Sequence, residues 1–310
     1  MWFQRELSPL PKGEPTFVRY RSGAGIVKVL ADLQDRKIIR SRHALRLYGM
    51  MNKKSDSVKS GTYKVWRGMT PDELYATLTK PIRQMFRMPE TNWARRSANL
   101  LERANITTAG EYMDLWAEPD RFESSVLPVK GKKSLEGFLY PDTYDFPPLL
   151  GAEGVVQRQL DNFEKRVMPH IDKEDDLYRI LIVASLVELE VAKDSERPIV
   201  AGIIYNRLKV GMRLEIDACI NYALQEWRPL TYADLKNVNS PFNTYLNTGL
   251  PPTPICSPTL KSILAAKTPA KHNFLYYVAM PEKYHLFSES YAEHLRNIAK
   301  RKAALKALNQ

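Results

Sequence analysis

A chain of 310 residues, 44% hydrophobic and 26% charged, is long enough to bury a core and to form two domains. It holds no run of about 18 apolar residues, the length a membrane-crossing helix needs, and Met1-Trp-Phe-Gln-Arg-Glu6 has no apolar segment of a signal peptide. The net charge of +11 suits nucleic acid, an anionic surface or an acidic polymer, but its cations are spread out. The short clusters Lys130-Gly-Lys-Lys133 and Lys300-Arg-Lys302 lack interleaved aromatics, so no nucleic-acid partner is expected.

Residues 1–14, with Pro9 and Pro11, read as an extended lead-in. Thr16–Arg19 follows as a strand. Gly23–Asp35 reads as a helix with Ile26, Val29, Leu30 and Leu33 on one stripe. Ser41 is placed to cap a helix to Met50, Gly61–Arg67 alternates as a strand, and Thr70-Pro71 opens another helix. This first module spans 15–80 and ends at Lys80-Pro81. A fainter copy follows: a strand at Phe86–Met88 and helices at Thr91–Arg103 and Thr108–Trp116. At an offset of about 67 residues, Ile26, Leu33 and Ile39 fall on Trp93, Leu100 and Ile106.

The aromatic, turn-rich segment Leu135–Tyr144 precedes three helices, at Ala152–His170, Asp175–Val191 and Ser195–Lys209. Beyond Gly211 the chain reads as mostly irregular, since Asn237–Pro258 alone holds four Asn and five Pro. A helix over Ser257–Lys267, strands at Phe274–Ala279 and His285–Ser288, and a basic helix from Tyr291 complete an α+β chain. Its second domain, 81–310, is the larger and mainly helical one.

The common signatures are missing: there is no GxxxxGK[ST], GxSxG or HExxH. The five histidines lack ligand spacing, and Cys219 and Cys256 lack zinc spacing, so no metal or cofactor is expected. The two cysteines read as buried thiols, with a disulfide open in an oxidising compartment.

Carboxylate chemistry remains. In Ala184-Ser-Leu-Val-Glu188-Leu-Glu190 the two acids are two residues apart, about 200° around a helix, and cannot face one cleft. Glu190 lies three residues past Val187, four past Leu186 and seven past Val183, continuing the apolar stripe, while Glu188 falls on a more mixed face. A carboxyl on the apolar stripe is desolvated and protonated near neutral pH, as a general acid must be. A frayed helix end with a solvated Glu190 is the competing reading.

Further motifs follow in order: Ser195-Glu-Arg-Pro198, Asn206-Arg-Leu, Gly211-Met-Arg-Leu, Asp217, Asn243-Thr-Tyr245, Gly249-Leu-Pro-Pro252 and His285-Leu-Phe287. With Leu135–Tyr144 and the Glu-x-Glu helix end, they make the chain resemble the endolytic murein transglycosylases, the YceG-like family, over nearly its whole length. The family's catalytic glutamate is the second acid of its Glu-x-Glu pair, which falls on Glu190.

The resemblance implies that residues 15–80 form a LysM-like module contacting glycan strands and that 81–310 is the catalytic domain. It also implies a peptidoglycan substrate, penicillin-binding synthases as partners, and action at the extracytoplasmic face of the bacterial cytoplasmic membrane. Members usually carry an N-terminal membrane helix, so an anchor trimmed from before residue 1 is expected.

Under this reading Glu190 cleaves between N-acetylmuramic acid and N-acetylglucosamine, closing a 1,6-anhydro ring. Asp217, Asn243, Tyr245 and His285 are candidates for orienting the sugar. Asn243 and Gly249-Leu-Pro-Pro252 are equally the residues of a rigid loop. The chain has Val191 where the family usually has Thr, and Ile216, Ala218 and Cys219 around Asp217 where it usually has Thr-Asp-Pro-Thr. Three alternatives remain: a hydrolytic muramidase with Asp217 as second carboxyl, a non-catalytic glycan-binding scaffold, and nucleic-acid binding, which rests on charge alone.

Overall fold

The structure, a computed structural model, describes residues 2–54, 58–91, 93–122 and 134–308. The Lys130–Lys133 cluster lies outside the described residues. Contacts divide the chain into two units: Met1–Phe86, Leu100–Glu111 and Thr143–Val155 in one, Arg87–Asn99, Tyr112–Asp142 and Val156–Gln310 in the other. The fold class is α+β, with each small sheet two-stranded.

The N-terminal unit begins with a short helix, α1 (Trp2–Leu7), where an extended lead-in was expected. None of its residues is buried, but Leu7 packs partly against the core, which gives this turn a tertiary reason to form. Strands β1 (Thr16–Tyr20) and β2 (Gly61–Val65) pair antiparallel, Thr16 opposite Val65 and Tyr20 opposite Gly61. Between them lie α2 (Ile26–Asp35) and α3 (Arg42–Met51), and α4 (Pro71–Leu78) follows.

The stripe of α2 is buried as its spacing requires: Ile26, Val29, Leu30 and Leu33. Ser41 caps α3 by accepting from the Ala44 amide, and Thr70 with Glu73 forms a reciprocal capping box on α4. At Gly49 a Cβ would lie 2.2 Å from the Tyr75 hydroxyl, so only glycine lets α3 and α4 approach there. These elements close one core, from Val18 to Leu78.

A second strand–helix–helix–strand series follows: β3 (Met85–Arg87), α5 (Ala94–Arg103), α6 (Ala109–Trp116) and β4 (Thr143–Asp145), with β3 paired to β4. Its order and pairing repeat those of β1-α2-α3-β2. Trp93 and Ile106 are buried like their counterparts Ile26 and Ile39, whereas Leu100 is half-buried where Leu33 is enclosed. Leu100–Glu111 and Thr143–Val155 group with the N-terminal unit through bonds such as Thr62 Oγ1 to the Pro148 carbonyl (2.6 Å) and the Leu149 amide to the Asn105 carbonyl (2.8 Å). No sequence period announces these links.

The larger unit continues with α7 (Ala152–Val167), α8 (Leu177–Glu190) and α9 (Arg197–Lys209). Two further helices, α10 (Asp217–Leu224) and α11 (Tyr232–Asn237), occupy a stretch expected to be irregular. Helix α10 forms because Ala218, Cys219, Ile220 and Tyr222 are all buried, and α11 because Thr231 and Asp234 make a capping box. Then come α12 (Leu260–Lys267), the antiparallel strands β5 (Tyr276–Ala279) and β6 (His285–Ser288), and α13 (Tyr291–Leu308).

Helix α8 is the central element of this unit. Every residue from Ile180 to Glu188 is buried, and the helix packs against α9, α10 and α12. Burying one leucine or valine stabilises by about 1.5–3 kcal/mol, so Leu181, Val183, Leu186 and Val187 together anchor α8 firmly. Its C-terminal residue is Glu190. Cys219 and Cys256 are both buried and free, and burial pushes both thiols up.

Candidate active site

Because α8 is buried on all sides, the helical wheel does not separate its two acids. The more mixed surroundings expected for Glu188 are absent: it is 7% exposed and lies inside. Its Oε1 pairs with Arg197 Nη1 at 3.2 Å, and its Oε2 accepts from the Thr259 amide and hydroxyl at 2.8 and 2.7 Å. Glu188 is thus a satisfied structural carboxylate.

Glu190 differs in having a single hydrogen bond among the described residues and an opening. Its Oε2 accepts from the Tyr277 hydroxyl at 2.9 Å, and the side chain is half-buried at a cavity of about 290 Å³. The helix continues through Glu190, so the frayed end does not occur; Val191, 6% exposed, caps α8 in extended conformation.

The cavity is lined by Glu190, Arg207, Glu215, Asp217, Tyr245, Tyr277 and His294. Different elements deliver them: α8 ends at Glu190, α9 carries Arg207, α10 begins at Asp217, β5 holds Tyr277 and α13 holds His294. Glu215 adopts φ 50°, a left-handed conformation that turns the chain into α10. The turn is pinned by Thr244, whose carbonyl accepts from the Glu215 amide (3.2 Å) and whose hydroxyl accepts from the Ile216 amide (2.9 Å). The residues flanking Asp217, namely Ile216, Ala218 and Cys219, all point into the core, and Asp217 alone is exposed.

Burial raises the Glu190 pKa above the ordinary carboxyl value. The Tyr277 hydrogen bond opposes this, the Asp217 charge adds to it, and His285 and Arg207 oppose it weakly. Arg207 is itself buried and fixed, donating to the Leu275 carbonyl (2.7 Å) and the Leu214 carbonyl (2.5 Å) beneath the rings of Tyr276 and Tyr277. Burial lowers the His294 pKa, which keeps that imidazole neutral near pH 7. The result is a partly desolvated acid in a pocket that also holds the carboxylates of Glu215 and Asp217 and the phenols of Tyr245 and Tyr277.

Of the residues singled out in the sequence, Glu190, Asp217 and Tyr245 meet in this cavity, with Tyr245 donating to Asp217 Oδ1 at 2.6 Å. His285 does not line it. Buried behind Tyr277, its ring stands edge-on 5.5 Å away, and its Nδ1 lies 2.7 Å from Glu196 Oε2. Asn243 does not reach it either: fully buried, its amide donates to the Leu235 and Val238 carbonyls and its oxygen accepts from the Tyr245 amide. It holds the loop that presents Tyr245.

Four lining residues were not singled out. Arg207 sits inside Asn206-Arg-Leu and Glu215 directly follows Gly211-Met-Arg-Leu, so both carried a motif signal. Tyr277 and His294 carried none, since tertiary packing alone brings β5 and α13 to the end of α8. Among the described residues no cluster of His, Cys, Asp and Glu could hold a metal ion.

The model of the YceG-like family matches residues 18–300. The chain is 28% identical to the endolytic murein transglycosylase of Bacillus subtilis, over 96% of this chain and 87% of that protein. It is 33% identical to the protein of the same name from Streptococcus pneumoniae serotype 2 over 56% of this chain, spanning about a third (34%) of that relative. The crystal structure of a yceG-like protein from Listeria monocytogenes superposes with a TM-score of 0.62 at 27% identity, covering 91% of this chain and 99% of that one. With sequence and fold agreeing over nine-tenths of its length, this chain belongs to the YceG-like family.

Proposed function

We propose that this chain is a lytic transglycosylase of peptidoglycan, cutting the β-1,4 bond between N-acetylmuramic acid and N-acetylglucosamine with Glu190 as its acid and base. The observation that carries this reading is the state of Glu190: rigidly mounted, partly desolvated and open to a cavity, beside a structurally satisfied Glu188. The names of the relatives support the substrate class.

In this mechanism the protonated Glu190 gives its proton to the glycosidic oxygen as the bond from that oxygen to C1 of the muramic residue breaks. The carboxylate then accepts the proton of the muramic 6-hydroxyl while the 6-oxygen bonds to C1. The products are a new hydroxyl end and a 1,6-anhydro ring, and Glu190 is protonated again. Its raised pKa keeps it charged with a proton at the start. Asp217, held by Tyr245, sits in the same lining and is suited to orienting sugar hydroxyls and amides.

A second reading has one observation behind it: Asp217 shares the cavity with Glu190, as the two carboxyls of a hydrolytic muramidase do. In further parts of the proposal, the 15–80 module is LysM-like and binds glycan, residues 81–310 form the catalytic domain, and the enzyme works with peptidoglycan synthases at the outer face of the cytoplasmic membrane. Among the described residues no helix is long and apolar enough to cross a membrane.

The direct test is Glu190→Gln on purified sacculi. The variant is expected to fold and bind but release no fragments. Parental release by the variant sinks the assignment of Glu190.

A further inference from the structure

Helix α9 faces two cavities. One is the pocket already described; the other, of about 750 Å³, is lined by Lys209 of α9 and by residues 267–273, including Lys267 and Lys271. Its size lies within the range of small-ligand sites. No carboxylate lines it among the described residues.

The cations are not equivalent. Lys267 is fully engaged, donating to the His170 carbonyl (2.7 Å) and pairing with Asp172 (2.5 Å) and Asp175 (2.9 Å). Lys209 and Lys271 are exposed and have no hydrogen bond or ion pair among the described residues. Two uncompensated ammonium groups therefore share one concavity.

Its wall is built rather than incidental. The His272 Nδ1 accepts from the Phe274 amide at 3.1 Å, leaving Nε2 to donate to the Ile199 carbonyl at 2.9 Å, so the ring is fixed in one tautomer. Asn206 Nδ2 donates to the His272 and Phe274 carbonyls at 2.8 and 3.1 Å. Gly202 permits this approach, because a Cβ there would fall 2.5 Å from both the Ala270 carbonyl and His272 Nε2.

The wall also continues into the catalytic pocket. Asn206 holds His272 and Phe274 while its neighbour Arg207 holds Leu275, and the segment runs on into β5 and Tyr277, the partner of Glu190.

From the paired free ammoniums, the acid-free lining and the shared frame, we propose that this cavity binds the carboxylate-bearing end of a short peptide. Lysines act here as point charges that attract carboxylate and phosphate alike, so inorganic phosphate is one arm of the test. The choice of peptide rests on the proposed substrate, whose glycan strands carry peptide stems with free carboxylates. A stem seated here fixes the strand relative to the helix and β-strand that frame Glu190.

The test uses the full chain and a Lys209→Ala/Lys271→Ala variant. Calorimetric titration is made with a soluble stem tetrapeptide, with the same peptide amidated at its carboxylates, and with inorganic phosphate. The acidic peptide is expected to bind the parent and to lose about tenfold in affinity, about 1.4 kcal/mol, on amidation or in the double variant. Equal binding of acidic and amidated peptides, or equal binding by parent and variant, overturns the site. Phosphate binding as tightly as the peptide overturns the peptide assignment.

Cleavage of stem-free and stem-bearing glycan by the same two proteins separates this from the catalytic reading. The variant is expected to match the parent on stem-free strands and to show a raised KM on stem-bearing ones. If the parent cleaves neither, the transglycosylase reading fails while the peptide titration still decides the site.

Discussion

Glu190 is held between opposing influences, and the groups responsible are individually removable. Burial and the Asp217 charge raise its pKa, while the Tyr277 hydroxyl lowers it. If Glu190 must be protonated for cleavage to begin, the rate falls as pH rises through that raised pKa. Asp217→Asn is then expected to move this alkaline limb to lower pH, and Tyr277→Phe to move it higher. Limbs of both variants that coincide with the parent's would remove Glu190 as the titrating acid. Glu188 makes the opposite kind of prediction. Glu188→Gln uncouples a buried pair with Arg197, whose side chains are 4% and 11% exposed, and is expected to cost on the order of 3 kcal/mol in chemical denaturation. Cleavage per folded molecule is expected to persist. Glu190 was legible in the sequence as the end of an apolar helix, but the wheel gave the wrong reason for preferring it. The acids differ in partners, and partners such as Arg197 and Thr259 are invisible to a helical period.

Among the elements, α5 begins against a buried acid of a distant loop. Glu136, 2% exposed, accepts from the Ala94 amide (3.2 Å) and the Tyr222 hydroxyl (3.3 Å), and burial raises its pKa from 4.5 to about 8. A folded-state pKa above the unfolded one means the folded state holds the proton more tightly. The contribution to stability is complete below pH 4.5 and is lost as pH rises to about 8. Glu136→Gln is expected to flatten the decline of the denaturation midpoint across this window, and an unchanged slope would show that Glu136 does not cause it. The α4 cap is simpler: Thr70→Ala removes a capping-box bond and is expected to cost about 1 kcal/mol. Elements with a local signal, such as the striped α2 and the capped α3 and α4, were readable within a few residues. Helices α10 and α11 were obscured by nearby Asn and Pro, and α1 by Pro9 and Pro11. All three are six to eight residues long and depend on tertiary contacts or a cap rather than on propensity.

For the whole molecule, the core from Val18 to Leu78 is continuous, and every residue of the Glu190 pocket lies in the larger unit. A chain cut to residues 81–310 is expected to unfold cooperatively at a lower temperature than the parent, because it loses bonds such as Thr62 to Pro148, and to bind glycan more weakly. A calorimetric scan without a cooperative transition would make the two parts one folding unit. The first module's pattern suggests a boundary at Lys80-Pro81, whereas the return of Leu100–Glu111 and Thr143–Val155 to the N-terminal unit depends on distant bonds that no local pattern carries. The central claim concerns the bond-forming step, and Asp217 beside Glu190 gives its rival a structural footing. Intramolecular attack by the muramic 6-hydroxyl and attack by water yield products differing by one water molecule. Mass spectrometry of fragments released from purified sacculi reads that difference directly. The account predicts 1,6-anhydro-muramic ends on the released strands; predominantly reducing ends would contradict it.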